Sequence, residues 1–495
     1  DLIGYGVGST VGAGIYSLIG PGVKQAGPAL LLSFVLGAVS CVFTALCYSE
    51  FASRIPVAGS AYTYAYTSFG ELMGWFIGWN LTLEYAISSA AVARAWGGYM
   101  AQLVDSLGAH TPHVRCSRLS HTPWDLGGGV IGSPLAALCV FLLSLAMLPG
   151  VKESSRLNSI VTVTNVLVLS FITILGATKV STSNWTVVND SFAPHGASSV
   201  ISAAGTVFFS YLGFDMVSSM AEEVKRPQRD MPIGIIGSLA IAASIYVAVT
   251  LTVTGMDDYR NFMDADAPLS QAFEDRGLHW ATYIINVGSV FGLTSACFTG
   301  LLGQPRIFYK MAADGLLFPI FGRLSPNGVP LAGTFITAII TSVIAFCFSL
   351  DALAQAISIG TLAAFSIVDA GIIVLYVRRK DPHSSRRALS YVTAFSLCAF
   401  IAFLGFHNDW PLAVMIIFAV AGVGFVCLLY TLPVNEPPAS FKTPLVPLVP
   451  CIGIALNMSM LAGLSYQAWI RLGGWTFIGL LIYFGYGIRH SVLNE

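Results

Sequence analysis

The chain has 495 residues, of which 55% are hydrophobic and 10% are charged, and its formal net charge is -1 at pH 7. Soluble proteins carry about 25% charged residues, so this composition, with a mean hydropathy of +0.74, indicates an integral membrane protein. The near-neutral net charge supplies no broad basic field, and we therefore expect no nucleic acid partner.

Apolar runs long enough to cross a bilayer, which takes roughly 20 residues, predict an all-α membrane protein with about fourteen transmembrane helices. The runs lie at 2–22, 29–53, 72–105, 133–150, 157–178, 199–220, 232–256, 281–311, 329–349, 353–378, 388–407, 411–432, 444–463 and 470–488. Apolar sequence is already present at residues 1–3, and we expect that an N-terminal tail is missing.

The first predicted span is interrupted by a glycine-rich, partly polar segment, GSTVGAGIY at 8–16. Each glycine in a helix interior costs about 1 kcal/mol relative to alanine, and hydrocarbon offers no water to the backbone groups that a break releases. A second interruption, from Ser210 to Asp215, lies in the sixth span. Paired broken helices are typical of a transporter's binding site, although Gly-x-x-x-Gly spacing in the first also suits plain helix packing.

The loop charges predict the orientation. Loops on one side contain more than twice as many Lys and Arg residues as loops on the other, which places both termini in the cytoplasm by the positive-inside rule. Glycosylation sequons at Asn184 and Asn189 lie on the predicted exterior side.

This orientation gives each break a chemical preference. The second half of the first span begins at the membrane centre with free N–H groups, and the first half of the sixth span ends there with free carbonyls. Together these groups suit the carboxylate and the ammonium of an α-amino acid.

Two further residues are candidates for function. Glu84, in the middle of the third span, is costly to keep ionised in hydrocarbon and could pair with a guanidinium or ammonium group. The alternative is a structural acid that is protonated or paired with Arg94. Cys116, unlike the other eight cysteines, lies in a polar loop, so a disulfide to another subunit is an open alternative.

Several long segments closely resemble the cationic amino acid transporters of the amino acid-polyamine-organocation superfamily, and the resemblance covers nearly the whole chain. The segments are GSTVGAGIY at 8–16, CYSEFASRIPVAGSAYTYAY at 47–66, GWNLTLEYAISSAAVARAW at 78–96, FFSYLGFDMVSS at 208–219, EEVKRPQRDMPIGI at 222–235, GQPRIFYKMAADGLL at 303–317 and FKTPLVPLVP at 441–450.

The resemblance implies a five-plus-five inverted-repeat transporter fold with discontinuous helices 1 and 6. The first repeat would comprise residues 1–178 and the second residues 199–378, followed by four additional helices within 388–488. Substrate would lie between the two broken helices.

The resemblance also implies residue roles. Family contacts place the substrate carboxylate at the backbone of Ala13 and Gly14, beside Val11 and Gly12. They place the ammonium at the carbonyls of Thr10, Phe209, Ser210 and Leu212. From its position at the end of the second break, Asp215 is expected to cap or brace the broken helix, and contact with substrate is the alternative.

Gly300 aligns with a pocket position that some relatives fill with a larger side chain, so glycine there would leave room for a long substrate. The alternative reason for Gly300 is close helix packing.

One departure from related proteins concerns ion coupling. Some proton-coupled relatives carry a lysine in helix 5 where this chain has Asn165. A neutral asparagine cannot shuttle a proton as lysine can, so Glu84 or Asp215 would have to serve if transport is coupled. A uniporter would suffice for a cationic substrate, because one charge gains about 2.3 kcal/mol per 100 mV.

We therefore predict a secondary transporter for arginine, lysine and ornithine that works by alternating access, without enzymatic activity, cofactor or metal. It would sit among lipids of the plasma membrane or of a vacuolar or lysosomal membrane. A broad-specificity or neutral amino acid carrier, a light subunit of a heteromeric exchanger, and a nutrient sensor are the alternatives.

Overall fold

The computed structural model describes residues 2–55, 60–106, 132–147, 155–186, 191–220, 224–325, 329–377, 382–433 and 441–492. No strand occurs among them. The α-helices are α1 (Leu2–Thr10), α2 (Ala13–Ser17), α3 (Ile19–Ala26), α4 (Leu30–Arg54), α5 (Ser60–Phe69), α6 (Glu71–Thr82), α7 (Ser88–Ser106), α8 (Pro134–Met147), α9 (Ser155–Ala177), α10 (Gly196–Val207), α11 (Met216–Ser219), α12 (Pro227–Met256), α13 (Tyr259–Phe262), α14 (Pro268–Asp275), α15 (His279–Ala313), α16 (Leu331–Cys347), α17 (Leu350–Val377), α18 (Pro382–His407), α19 (Leu412–Tyr430), α20 (Leu448–Ala462), α21 (Tyr466–Ile482) and α22 (Ile488–His490).

The helical content agrees with the prediction from apolar runs. Within the described residues, nine helices are long and apolar enough to cross a membrane, and α8, α16 and α20 are shorter apolar helices. Each of the fourteen predicted runs contains helix. Along α9, one face exposes Ile160, Val163, Leu167 and Ile174, as expected for side chains that meet lipid rather than water. The chain is a multi-pass, all-helical membrane protein.

Helices at equivalent places of the two predicted repeats pack against each other. The second helices, α4 and α12, form one extensive contact, and the third helices, α7 and α15, form another. The first helices are exchanged, since α1 packs on α12 while α10 packs on α4. This pairing puts both broken helices at the centre of the bundle.

The four C-terminal helices differ in their surroundings. In α19 only Gly422 and Leu429 are buried, and this helix packs mainly on α18. By contrast, α20 packs on α17 and α4, and α21 packs on α17 and α6. The limits of the repeats and of this C-terminal group stay a prediction.

The loops predicted to be exterior meet at one end of the bundle. Lys24 forms an ion pair with Asp264 at 2.7 Å, and the backbone N–H of Ser181 donates to the carbonyl of Gly255 at 2.9 Å. These contacts between segments that are distant in sequence place the segments at the same end of the bundle.

Candidate functional site

The first helix break has the form that the glycine-rich segment predicts. Helix α1 ends at Thr10 and α2 begins at Ala13, while Val11 and Gly12 lie outside both helices. Gly12 has φ −134° and ψ −146°. Because α2 starts anew at Ala13, the N–H groups of its first turn have no acceptor within the helix.

The second break is longer and is built differently. A 3₁₀ turn spans Phe208–Tyr211, Leu212 is extended, and Gly213 has φ +116°. Only glycine adopts such a left-handed conformation without steric cost. The Asp215 side chain accepts a hydrogen bond from the N–H of Gly213 at 3.1 Å, within the second break.

The two breaks touch each other through their glycines. A Cβ at Gly213 would lie 2.5 Å from the backbone carbon of Ser9, and a Cβ at Gly14 would clash with the backbone of Ser210. Larger residues at either glycine would force the two broken helices apart.

Tyr246 of α12 joins the two breaks. Its buried hydroxyl lies 2.7 Å from the carbonyl oxygen of Thr10 and 2.8 Å from that of Ser210. These are two of the four carbonyls that the family resemblance assigns to the substrate ammonium. Sequence reasoning missed Tyr246, because nothing local in α12 marks it.

A cavity of about 60 Å³ lies between the breaks. A water molecule needs roughly 10–15 Å³ of such volume, so the cavity has room for only a few waters. Its walls are formed by Gly8, Ser9, Thr10, Gly12, Gly14, Glu84, Ser88, Val92, Phe209, Leu212, Gly213, Met216, Ala296, Thr299 and Gly300.

Most of the predicted site residues therefore meet at one cavity. Of those in the breaks, Val11, Ser210 and Asp215 are buried behind its wall, and Ala13 contributes the start of α2. Whether these residues bind substrate stays a prediction.

Glu84 lies in a π-helical turn, Leu83–Ile87, between α6 and α7. Such turns are rare and are found frequently at functional sites. Glu84 is 4% exposed, and its Oε1 has no hydrogen-bond partner among the described residues. Its neighbour is the Asp215 carboxyl group, which is close enough to hydrogen-bond with it.

Arg94, the alternative partner predicted for Glu84, interacts with a different acid. The charge of Arg94 interacts with Asp266, in the loop between α13 and α14. No basic side chain lines the described cavity wall. The Glu84 carboxyl group therefore lines the cavity with no cation in the described wall.

The helix that bears Glu84 adds two wall residues that sequence reasoning missed. Glu84, Ser88 and Val92 all line the cavity, and their spacing of four residues places them on one face of a helix. That spacing was readable in the sequence once Glu84 had been singled out.

Asn165 braces the first break from outside the cavity. Its amide Nδ2 donates to the carbonyl of Val11 at 3.4 Å, and its Oδ1 accepts from the Tyr16 hydroxyl at 3.3 Å. A Cβ at Gly292 of α15 would clash with the Asn165 side chain. The Asn165 amide thus holds the backbone of the first break in contact with α9.

Gly300 lines the cavity, but a side chain at this position would not point into the cavity. A Cβ there would clash with the Ser89 hydroxyl rather than point into free space. Close packing of α15 on α7 therefore explains this glycine at least as well as room for a long substrate.

Three candidates remain, of which the structure describes only Asn184. The Nδ2 of Asn184, where a glycan would attach, donates to the Gly255 carbonyl at 2.7 Å. Asn189 and Cys116 lie outside the described residues, so glycosylation and a disulfide-linked partner stay predictions. The eight cysteines within the described part are unpaired.

Comparison with known proteins agrees with the helical bundle and its breaks. The model of the amino acid permease family matches residues 2–456, and a model of the C-terminus of such permeases matches residues 441–491.

Three relatives illustrate the range of similar proteins. Cationic amino acid transporter 4 of Homo sapiens is 35% identical, over 100% of this chain and 87% of its own length. The methylthioribose transporter of Bacillus subtilis is 34% identical, over 100% and 94%. The branched-chain amino acid permease BcaP of the same organism is 33% identical, over 100% and 93%.

Proposed function

Because the chain belongs to the amino acid permease family and is thus an amino acid transporter rather than an enzyme, we propose that it moves cationic L-amino acids such as arginine, lysine and ornithine. The observation that supports this proposal most strongly is the buried Glu84 carboxyl group, whose Oε1 has no hydrogen-bond partner among the described residues. This group lines a cavity whose described wall contains no basic residue. A buried carboxylate needs a cation or several donors. The guanidinium or ammonium at the far end of such a substrate supplies both.

The backbone of the substrate would be held by the two breaks. The free N–H groups at the start of α2, from Ala13 and Gly14, face a carboxylate, and the carbonyls of the second break face an ammonium. This recognition uses no charged side chain, so it leaves Glu84 available for the substrate side chain.

The size of the cavity supports alternating access. At about 60 Å³ it is too small for arginine, so substrate entry requires the bundle to open. In this proposed cycle, both termini lie in the cytoplasm.

A broad-specificity or neutral carrier is the second candidate. The names of the Bacillus subtilis relatives specify methylthioribose and branched-chain amino acids, and apolar side chains such as Val92, Met216 and Ala296 form part of the wall. An apolar wall favours uncharged side chains.

Competition in liposomes separates the two candidates. With the purified protein, excess unlabelled arginine should abolish uptake of labelled lysine, whereas excess alanine should reduce it little. If alanine abolishes uptake and arginine does not, the cationic assignment is wrong.

Glu84→Gln tests the residue that carries the proposal. Loss of a charged hydrogen bond costs about 1.5–3 kcal/mol, or about 10–100-fold in affinity, so arginine binding should weaken by that factor while alanine binding changes far less. Glu274→Gln is the matched control, because Glu274 accepts from Gln102 at the outer surface. Equal losses for arginine and alanine would reduce Glu84 to a structural acid.

A further inference from the structure

A second buried acid, Asp369, lies in α17 and is unused by the proposed binding site. It is fully buried, and its Oδ2 accepts a hydrogen bond from the Thr44 hydroxyl of α4 at 3.0 Å. On the other side, a Cβ at Gly453 of α20 would lie only 2.7 Å from the same oxygen. The carboxyl group is therefore enclosed by three helices.

The surroundings of Asp369 contain no compensating charge. None of the ion pairs formed by the described residues includes Asp369, and its Oδ1 has no hydrogen-bond partner. The titratable groups that face it are the side chains of Cys41, Cys47 and Tyr48 from α4 and of Cys451 from α20.

None of these neighbours is a cation, and a carboxylate without a cation is costly in a membrane interior. In the packed arrangement of α4, α17 and α20, burial without a cation therefore favours the neutral, protonated carboxyl group.

Asp369 is also close to aromatic side chains that pack on the second break. Phe365, one turn earlier on α17, makes edge contacts with Phe208 and Phe214 of the second break, at ring-centroid distances of 5.8 and 5.5 Å. Tyr48 packs on Phe365 at 5.4 Å. Chain direction places Tyr48 and Phe214 between the breaks and the end of the bundle that holds the termini.

Tyr48 provides a polar link between the two acidic regions. Its hydroxyl is buried without a hydrogen-bond partner, and the residue lies within electrostatic range of Glu84, Asp215 and Asp369. If the cavity opens toward the termini by separation of these aromatic contacts between α4 and α17, water would reach Asp369.

We propose that Asp369 is a proton-binding group of the transport cycle, protonated while α4, α17 and α20 are packed together and deprotonated when the cavity opens toward the termini. On opening, the carboxyl O–H bond breaks, the proton passes to water, and a hydrated carboxylate remains. This inference rests on the proposed transport function and makes that transport proton-coupled, although Asn165 replaces the lysine of some coupled relatives.

Asp369→Asn tests the inference, because asparagine has the shape of the protonated acid and cannot release a proton. Purified protein is placed in liposomes with valinomycin and equal K⁺ on both sides, so that the membrane potential stays at zero. For one proton per arginine, one pH unit should drive about tenfold accumulation by the unmodified protein. The variant should lose this accumulation and keep arginine exchange in the absence of a gradient.

Asp351→Asn, the same change in the first turn of α17, is the matched control and should keep both activities. Gradient-driven accumulation by Asp369→Asn at the level of the unmodified protein would overturn the inference. So would arginine exchange by the unmodified protein that a pH gradient leaves unaffected, although the proposed function would then stand. A complete lack of arginine movement in the unmodified protein would reject both.

A second variant keeps the test decisive if Asp369→Asn does not fold. Thr44→Val removes the hydroxyl that donates to Asp369, and this hydroxyl favours the charged form of the carboxyl group. The pH midpoint of arginine uptake should therefore move upward. An unchanged midpoint in the folded Thr44→Val protein would overturn the inference.

Discussion

At the residue scale, buried polar groups near the breaks fall into two kinds. Asn165 and Asp215 have partners on the broken backbone, through Val11 and Gly213 respectively. Glu84 and Asp369 each retain an oxygen without a partner. An unsatisfied buried group costs about 1–3 kcal/mol. The first kind stabilises the breaks, and we propose that Glu84 and Asp369 of the second kind bind substrate and a proton during transport.

Tyr246→Phe tests the contribution of one hydroxyl to the shape of the site. The change removes a donor that lies within hydrogen-bonding distance of the carbonyls of Thr10 and Ser210, which should loosen the ammonium position. We expect the KM for arginine to rise about tenfold, equivalent to about 1.4 kcal/mol.

Tyr211→Phe is the control for Tyr246→Phe. Its hydroxyl also donates to a backbone carbonyl, that of Phe34 in α4, but does not bridge the breaks. Similar KM values for both variants and the unmodified protein would show that the Tyr246 hydroxyl does not position the site.

At the element scale, the two breaks interrupt their helices at the same cavity but have different backbone conformations. The first uses a short interruption at Val11 and Gly12, and the second uses a 3₁₀ turn followed by left-handed Gly213. The π-helical turn at Leu83–Ile87 adds a third irregularity around the same cavity. Transmembrane helices tolerate such departures only where protein or a lined cavity covers them.

Gly213→Ala should damage the second break for two reasons. Alanine is disfavoured at φ +116°, and its Cβ would approach the Ser9 backbone to 2.5 Å. We expect a lower melting temperature and loss of most arginine uptake.

Gly196→Ala is the control that separates the cost of a positive φ from the cost of a clash with neighbouring atoms. Gly196 also has a positive φ, of +79°, but a Cβ there meets nothing within 4 Å. In this variant the free energy of unfolding should fall only by the conformational cost of about 1 kcal/mol, and arginine uptake should be kept. Equal loss of uptake in both variants would contradict a specific role for the contact between Gly213 and Ser9.

At the scale of the whole molecule, the pairing of α4 with α12 and of α7 with α15 surrounds the broken helices with equivalent elements from each half. Loops predicted to be exterior meet at one end, where Lys24 pairs with Asp264. At the other end, Glu71 accepts hydrogen bonds from Tyr483 and Ser491. The two ends should therefore face different compartments.

Labelling with a membrane-impermeant thiol reagent tests this orientation in intact cells. Single cysteines introduced at Lys179 and Arg276, in the predicted exterior loops, should react if the protein is at the plasma membrane. Cysteines at Lys225 and Arg323 should react only after permeabilisation. The opposite pattern would invert the proposed topology.

The sequence by itself determined the membrane-embedded helical class, the approximate spans and the two breaks, as GSTVGAGIY and the segment Ser210 to Asp215 illustrate. These features are local, because hydrocarbon requires each segment to satisfy its own backbone and makes every glycine-rich interruption conspicuous. Only the tertiary structure decided that Tyr246 bridges the breaks, that Gly300 faces Ser89, and that Asp369 is enclosed by α4 and α20. These facts depend on contacts between residues far apart in the chain, which no local pattern encodes.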